Sequence, residues 1–215
     1  MANSLQDSPK VLLHLDSSPM RAASVSRHLS ETYVENWKKA HPGGRVITRD
    51  LAGSGLVSIT AAWVAAAYTP EESRTAEQKA VLATSDELLA EVLAADELAI
   101  GVSMHNFNIP SVLKLWIDQV VRVGKTFAYV DGAPKGLLVG KKATFLVATG
   151  GTYGKGTAME SLNFIEPYLK TLFGFVGIGD VVFHTAGGAA ALNYGADRAE
   201  FLQPHDEAVA ALAAA

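Results

Sequence analysis

Val11-Leu12-Leu13-His14-Leu15-Asp16-Ser17-Ser18-Pro19 is the stretch on which the architecture of this chain turns. A short apolar run rich in branched residues, Val11 to Leu15, ends abruptly in the small polar cluster Asp16 to Pro19. That pattern reads as a buried strand running into a loop. Beyond the loop Val25, Leu29, Tyr33 and Trp37 recur at every fourth position, while Arg27, Ser30, Glu31, Glu35 and Lys38 fill the opposite face. This is the period of an amphipathic helix, and His41-Pro42-Gly43-Gly44 should end it.

The same alternation continues outward. Arg45 to Leu51 reads as a second strand, and the alanine-rich segments Trp63 to Tyr68 and Thr75 to Ala95 read as helices on either side of Pro70. Leu98 to Val102 is a third strand, followed by the loop Ser103 to Asn108. Pro110 suits the first turn of the next helix, where its missing amide would have no partner. Leu113, Trp116, Ile117, Val120 and Val121 give that helix an apolar face. A fourth strand, Ala143 to Ala148, runs into Thr149-Gly150-Gly151-Thr152. A helix from about Glu160 to Leu172, a strand from Val176 to His184 and an alanine-rich final helix complete the series.

Strands alternating with helices imply a parallel sheet, since parallel neighbours need crossover connections that helices supply. The expected fold is therefore α/β and flavodoxin-like, a five-stranded parallel sheet with helices on both faces. At 215 residues one hydrophobic core is the default, so 1–215 reads as a single domain. With 49% hydrophobic and 19% charged residues the chain has the composition of an ordinary globule. A net charge of −4 gives no long-range attraction for nucleic acid or anionic lipid. There is no cysteine, so disulfides, thiolate metal sites and cysteine nucleophiles are excluded, and redox chemistry would need a borrowed cofactor. No apolar stretch has the length of a membrane span and Met1 to Lys10 has no signal-peptide core, which makes the cytoplasm the default expectation.

In such a sheet ligands sit beyond the carboxyl ends of the strands, where strand order reverses, so three loops matter most. The first supplies Ser17, Ser18, Ser24 and Ser26, with Ser24 at a helix N-cap position. Free amides, the positive end of the helix dipole and several hydroxyls suit a phosphate monoester, although serines in such places are also ordinary caps. Arg21 can add charge there or point to solvent. The second loop, Met104 to Phe107, offers a thioether, an imidazole, an amide and a phenyl ring to a flat heteroaromatic group. His105 is read as a packing residue rather than an acid or base. The third loop, Thr149-Gly150-Gly151-Thr152, lets backbone amides approach a ligand closely. Neither GxxxxGK[ST] nor GxGxxG occurs, which disfavours nucleotide hydrolysis and a dedicated dinucleotide fold.

Taken together the loops resemble the FMN-dependent NADH azoreductase and quinone reductase family. The markers are Ser17-Ser18 with Ser24-Val25-Ser26, then Met104 to Pro110 with Leu113-Lys114 and Asp118, and Ala148-Thr149-Gly150-Gly151. Lesser ones are Arg49-Asp50-Leu51, Gly124 to Phe127 with Tyr129, Gly140-Lys141-Lys142, and Tyr168-Leu169 through Phe173-Gly174-Phe175. The resemblance implies FMN held by Ser18, Ser24, Val25 and Ser26 at its phosphate, and by Met104, His105, Asn106, Phe107, Ala148, Thr149, Gly150 and Gly151 around its ring. It implies a homodimer whose partner chain completes each pocket, with Phe127, Tyr129 and Phe175 on the acceptor side. It also implies ping-pong hydride transfer from NADH or NADPH to quinones and azo compounds, with no metal and no catalytic side chain beyond the flavin. Two departures stand out: His105 where the family often has tyrosine, and Ala148-Thr149 where it often has Ser-Arg, which removes a cation near the site. A flavin-binding electron carrier or redox sensor is the alternative, although −4 is mild for a carrier that docks by charge. Leu56 to Tyr68 is a candidate mobile wall.

Overall fold

The computed structural model describes residues 9–215. Its central sheet has the order β2-β1-β3-β6-β7, built from β1 (Val11–Asp16), β2 (Arg45–Asp50), β3 (Glu97–Ser103), β6 (Lys142–Ala148) and β7 (Asp180–Ala186), with every pairing parallel. The expected flavodoxin-like sheet is therefore present. Outside it β4 (Phe127–Val130) and β5 (Ala133–Gly136) form an antiparallel hairpin.

Period-two alternation sorts each central strand between two apolar layers. Leu13 and Leu15 of β1, Leu98, Ile100 and Val102 of β3, and Phe145 and Val147 of β6 face one layer. There they meet α3 (Ala76–Ala94), α4 (Ser111–Val120) and α5 (Ile165–Phe175) through Leu88, Val92, Trp116, Ile117 and Leu169. Leu12, Ala99 and Leu146 face the other layer, against α1 (Val25–Ala40) and α6 (Arg198–Ala213) through Leu29, Tyr33, Trp37, Leu202 and Val209. A short α2 (Ala61–Tyr68) buries Trp63, Ala66 and Ala67 against Leu82 of α3.

Several boundaries differ from the sequence reading. The strand expected at Val176 to His184 begins at Asp180, because Val176 to Ile178 close the preceding helix. The Gly177 amide donates to the Gly174 carbonyl and the Ile178 amide to the Phe173 carbonyl, a Schellman motif that places Gly177 at φ +102°. The helix expected from Glu160 is a 3₁₀ turn, Glu160–Leu162, followed by a fresh start in which Asn163 Oδ1 accepts from the Ile165 and Glu166 amides. Pro110 is the N-cap of α4 rather than part of its first turn. The β4–β5 hairpin was not expected. It turns on Asp131-Gly132, at φ +51° and +80°, the left-handed pair that a two-residue hairpin needs.

Candidate cofactor site

Strand order reverses between β1 and β3, since β2 lies to one side of β1 and β3, β6 and β7 to the other. A cleft of about 520 Å³ opens at this end of the sheet, within the range of small-molecule sites. The loops after β1, β3, β6 and β7 all contribute to it.

The first loop is fastened from beneath. Ser17 is fully buried, and its hydroxyl donates to the Gly101 carbonyl of β3 at 2.6 Å. Arg27 on α1 donates from Nε to the Ser18 carbonyl at 2.8 Å, and its guanidinium faces both Asp16 and Asp50. Burial pushes the Asp50 carboxyl up, but the bond to Arg27 and its charge outweigh this and hold it below the usual carboxylate range. Gly101 allows the close approach of helix to strand. A Cβ there would lie 2.9 Å from Asp16 Oδ1 and 3.1 Å from the Ser26 carbonyl oxygen.

Held this way, Ser24 caps α1, accepting from the Arg27 amide at 3.3 Å. The Val25 and Ser26 amides have no acceptor among the described residues, so the start of α1 presents orphan donors. Ser18, Ser24 and Val25 line the cleft. Ser26 does not; it is fully buried, with its hydroxyl 3.2 Å from that of Ser24.

In the second loop the Met104 amide donates to the Ala148 carbonyl at 2.9 Å, which seats Met104 and His105 on the cleft wall. His105 and Asn108 exchange both backbone hydrogen bonds, closing a two-residue turn with Asn106 at φ +48° and Phe107 at φ +68°. A phenylalanine in this region is uncommon and its backbone is strained. Its carbonyl accepts from the Phe164 amide at 3.2 Å, and its ring lies edge-on to Tyr153 with centroids 6.1 Å apart. Asn106 and Phe107 are exposed at the turn and do not line the cleft.

In the third loop the Thr149 amide is taken by the Ala186 carbonyl, and the Thr149, Gly150 and Gly151 carbonyls accept from Ala189, Ala190 and Gly188. The Gly150 and Gly151 amides have no acceptor among the described residues. Ala148, Thr149 and Gly150 line the cleft. Gly151 lies beneath Met159 and Tyr153, where a Cβ would come within 2.9 Å of Met159 Cε.

The sequence reading missed the fourth wall. Ala189, Ala190 and Asn193, from the 3₁₀ segment Ala189–Tyr194, and Arg198 at the start of α6 complete the cleft. No serine cluster or glycine pair marks them, and Arg198 stands far along the chain from the serines it meets. Arg21 faces a separate hollow with Arg27, His28 and Asp50. Phe127 packs against Phe175 and Tyr129, with ring centroids 4.8 and 5.9 Å away, and none of the three lines the cleft. Leu56 to Tyr68 borders other hollows, and Trp63 is fastened there by Nε1 donating to Gln119 Oε1 at 2.8 Å.

Orphan amides at a helix start, hydroxyls beside them and the free Gly150 amide on another wall suit a group with a phosphate at one end and a flat polar-edged ring at the other. The comparisons agree in kind. The chain is 58% identical over 194 residues to an FMN-dependent NADH:quinone oxidoreductase of Acidobacterium capsulatum, covering 90% of this chain and 94% of that protein. It is 48% identical to FMN-dependent NADH:quinone oxidoreductase 3 of Burkholderia lata, covering 94% and 98%. Its fold matches an FMN-dependent NADH-azoreductase of Bacillus anthracis solved in complex with FMN, at TM-score 0.84 and 27% identity, over 95% of this chain and 97% of the other. The profile of the family described by its flavodoxin-like fold matches residues 10–212, and the chain belongs to that family.

Proposed function

We propose that this protein is an FMN-dependent NADH:quinone oxidoreductase with azoreductase activity, a single-domain chain that works as a homodimer in the cytoplasm. The observation that carries the reading is the cleft at the strand-order reversal, with the unpaired Val25 amide at the start of α1 on one wall and the unpaired Gly150 amide on another. Similarity to the quinone oxidoreductases supports it along nearly the whole chain.

Bound there, FMN supplies a centre that accepts two electrons as hydride from NADH or NADPH and passes them to an acceptor. The chain's own residues bind and orient. Ser18, Ser24 and the Val25 and Ser26 amides hold the phosphate through hydrogen bonds to charge, the stronger kind. The Gly150 amide on the cleft wall, and the neighbouring Gly151 amide, would donate to the polar edge of the ring, where fixed hydrogen-bond donors stabilise negative charge. Met104 and His105, on the cleft wall, would flank the ring. Asn106 and Phe107, held out at the mouth by their strained turn, suit the rim against which donor and acceptor exchange places.

Overall, NADH, a proton and a quinone give NAD⁺ and the hydroquinone, while cleavage of an azo bond to two amines takes two such cycles. Phe127, Tyr129 and Phe175 do not line the cleft of their own chain. In this reading they face the acceptor across the dimer, from the second copy. Among the described residues no helix is long and apolar enough to cross a membrane.

Anaerobic titration of FMN-loaded protein with NADH, followed by a simple benzoquinone, tests the proposal. The expected result is bleaching of the flavin absorbance by one equivalent of NADH and full recovery with quinone. Flavin that stays oxidised under excess NADH and NADPH would remove the enzyme reading and leave a carrier or sensor.

A further inference from the structure

Arg198, the first residue of α6, enters the cleft from the wall that carries no recognisable motif. Its Nη1 donates to the Ala23 carbonyl at 3.2 Å and its Nη2 to the Ser24 carbonyl at 3.3 Å, which places the guanidinium against the two residues just before α1. A guanidinium has five N–H donors, so these two bonds leave three for other partners. Among the described residues Arg198 makes no ion pair, and it is the only lysine or arginine lining the cleft.

The other cations around the first loop are differently placed. Arg27 is a single guanidinium facing two carboxylates, Asp16 and Asp50, so that group offers an anion no net positive charge. Arg21 borders a separate hollow. The chain as a whole carries −4. A phosphate dianion at the start of α1 would therefore enter a neutral to negative setting, but for Arg198.

We infer that Arg198 is a phosphate-recognition residue of the cofactor site, reaching across from the C-terminal helix to give the serine loop the positive charge it lacks and to make the site select FMN over riboflavin. The inference rests on the FMN reading above. It also ties α6 to cofactor retention, because the same side chain holds the loop carbonyls and faces the cleft.

Affinities for FMN and for riboflavin, measured on wild type, Arg198→Gln and Arg198→Lys at low and high salt, test it. Arg198→Gln should weaken FMN about tenfold or more, the usual worth of a hydrogen bond to a charged group, and change riboflavin little. Arg198→Lys should keep the preference in part, holding the charge but losing the fork. Wild-type affinity for FMN should fall as salt rises, since a local cation is being screened; with only the protein's net negative charge acting, salt would leave binding unchanged or strengthen it. Equal weakening of both ligands in Arg198→Gln would reduce Arg198 to a loop fastener and overturn the inference. Should that variant not fold, FMN binding by wild type that strengthens with salt overturns it alone. Wild type that binds riboflavin and FMN equally sinks this inference while leaving flavin chemistry standing; wild type that binds neither sinks the cofactor reading itself.

Discussion

Two clefts of nearly equal size lie on this molecule, and they are made of different material. The first, about 520 Å³, is walled by backbone, hydroxyls and small side chains from loops at the strand ends, with Arg198 closing it. The second, about 510 Å³, is walled by Trp63, Tyr68, Phe127, Tyr168 and other large side chains from α2, α4, α5 and the β4–β5 hairpin. The first presents unpaired donors and suits a charged ligand. The second presents apolar area around the exposed Val64 and Tyr68, which suits a surface that becomes covered. One cleft is fixed by where the sheet ends, the other by how helices and hairpin pack, so substitutions under each should separate cofactor binding from stability.

The largest effect is expected beneath the second cleft. A Cβ on Gly136 would lie 2.2 Å from the Gly177 amide nitrogen and 2.3 Å from the Val176 carbonyl carbon, both backbone atoms of the turn that ends α5. Neither can rotate away. Gly136→Ala should push the hairpin off that turn and cost about 3 kcal/mol, the upper part of the range for overpacking. FMN affinity of the molecules that remain folded should hardly change. Urea unfolding read beside FMN binding checks this. A comparable loss of FMN affinity would mean that the two clefts are not separable.

Gly101→Ala is the counterpart under the first cleft. Its Cβ would press on Asp16 Oδ1, the Ser26 carbonyl and the Ser30 hydroxyl at 2.9 to 3.1 Å, contacts that side chains can partly relieve. A stability cost of about 2 kcal/mol is expected. Here the start of α1 moves away from β3, so FMN affinity should fall along with stability. The same two measurements decide it, and retention of wild-type affinity would show that cofactor binding does not depend on the close packing of α1 on β3.

The same contrast explains what could be read from the sequence. The sheet, its helices and three walls of the first cleft were legible because each is local: an apolar run, a polar or glycine-rich break, then a helical period. Ser18, Ser24, Val25, Met104, His105, Ala148, Thr149 and Gly150 all line the cleft for that reason. Arg198 was not legible, since nothing in Asp197-Arg198-Ala199 points to a carbonyl at Ser24. The hairpin was half legible. Asp131-Gly132 is a strong turn signal, but Pro134 in the run that follows speaks against a strand, and only an unpaired outer edge tolerates it. Residues such as Phe127 and Phe175 carry no local mark of which cleft they serve. Their positions follow from packing between distant segments.

The smallest effect comes from the histidines that join α6 to the sheet, and it sharpens the comparison because α6 delivers Arg198 to the first cleft alone. His184 Nε2 on β7 lies 3.1 Å from His205 Nδ1 on α6, a contact in which one nitrogen must accept, so the pair cannot bond with both rings protonated. Burial pushes both imidazoles below the usual histidine value, His205 adding to the fall at His184 and Asp206 opposing it at His205. Asp206 is itself held by His28 Nε2 of α1 at 2.8 Å and by Thr32. Depressed histidines bind fewer protons folded than unfolded, so their contribution is present at neutral pH and is lost as pH falls from the unfolded value of about 6.5 toward the lower folded one. The slope is bounded by about 1.4 kcal/mol per pH unit for each ring and is smaller here because both are partly exposed to solvent. Asp50 acts in a separate, more acidic window, its contribution being lost only as pH drops below the ordinary carboxylate value. His205→Gln should flatten the stability profile between pH 7 and the mid-acid range without touching the Gly136 region. FMN affinity of wild type should decline over the same interval as α6 loosens its hold on Arg198. An unchanged slope in His205→Gln would show that α6 is docked by its apolar face, Leu202 and Val209, and that the histidines only accompany it.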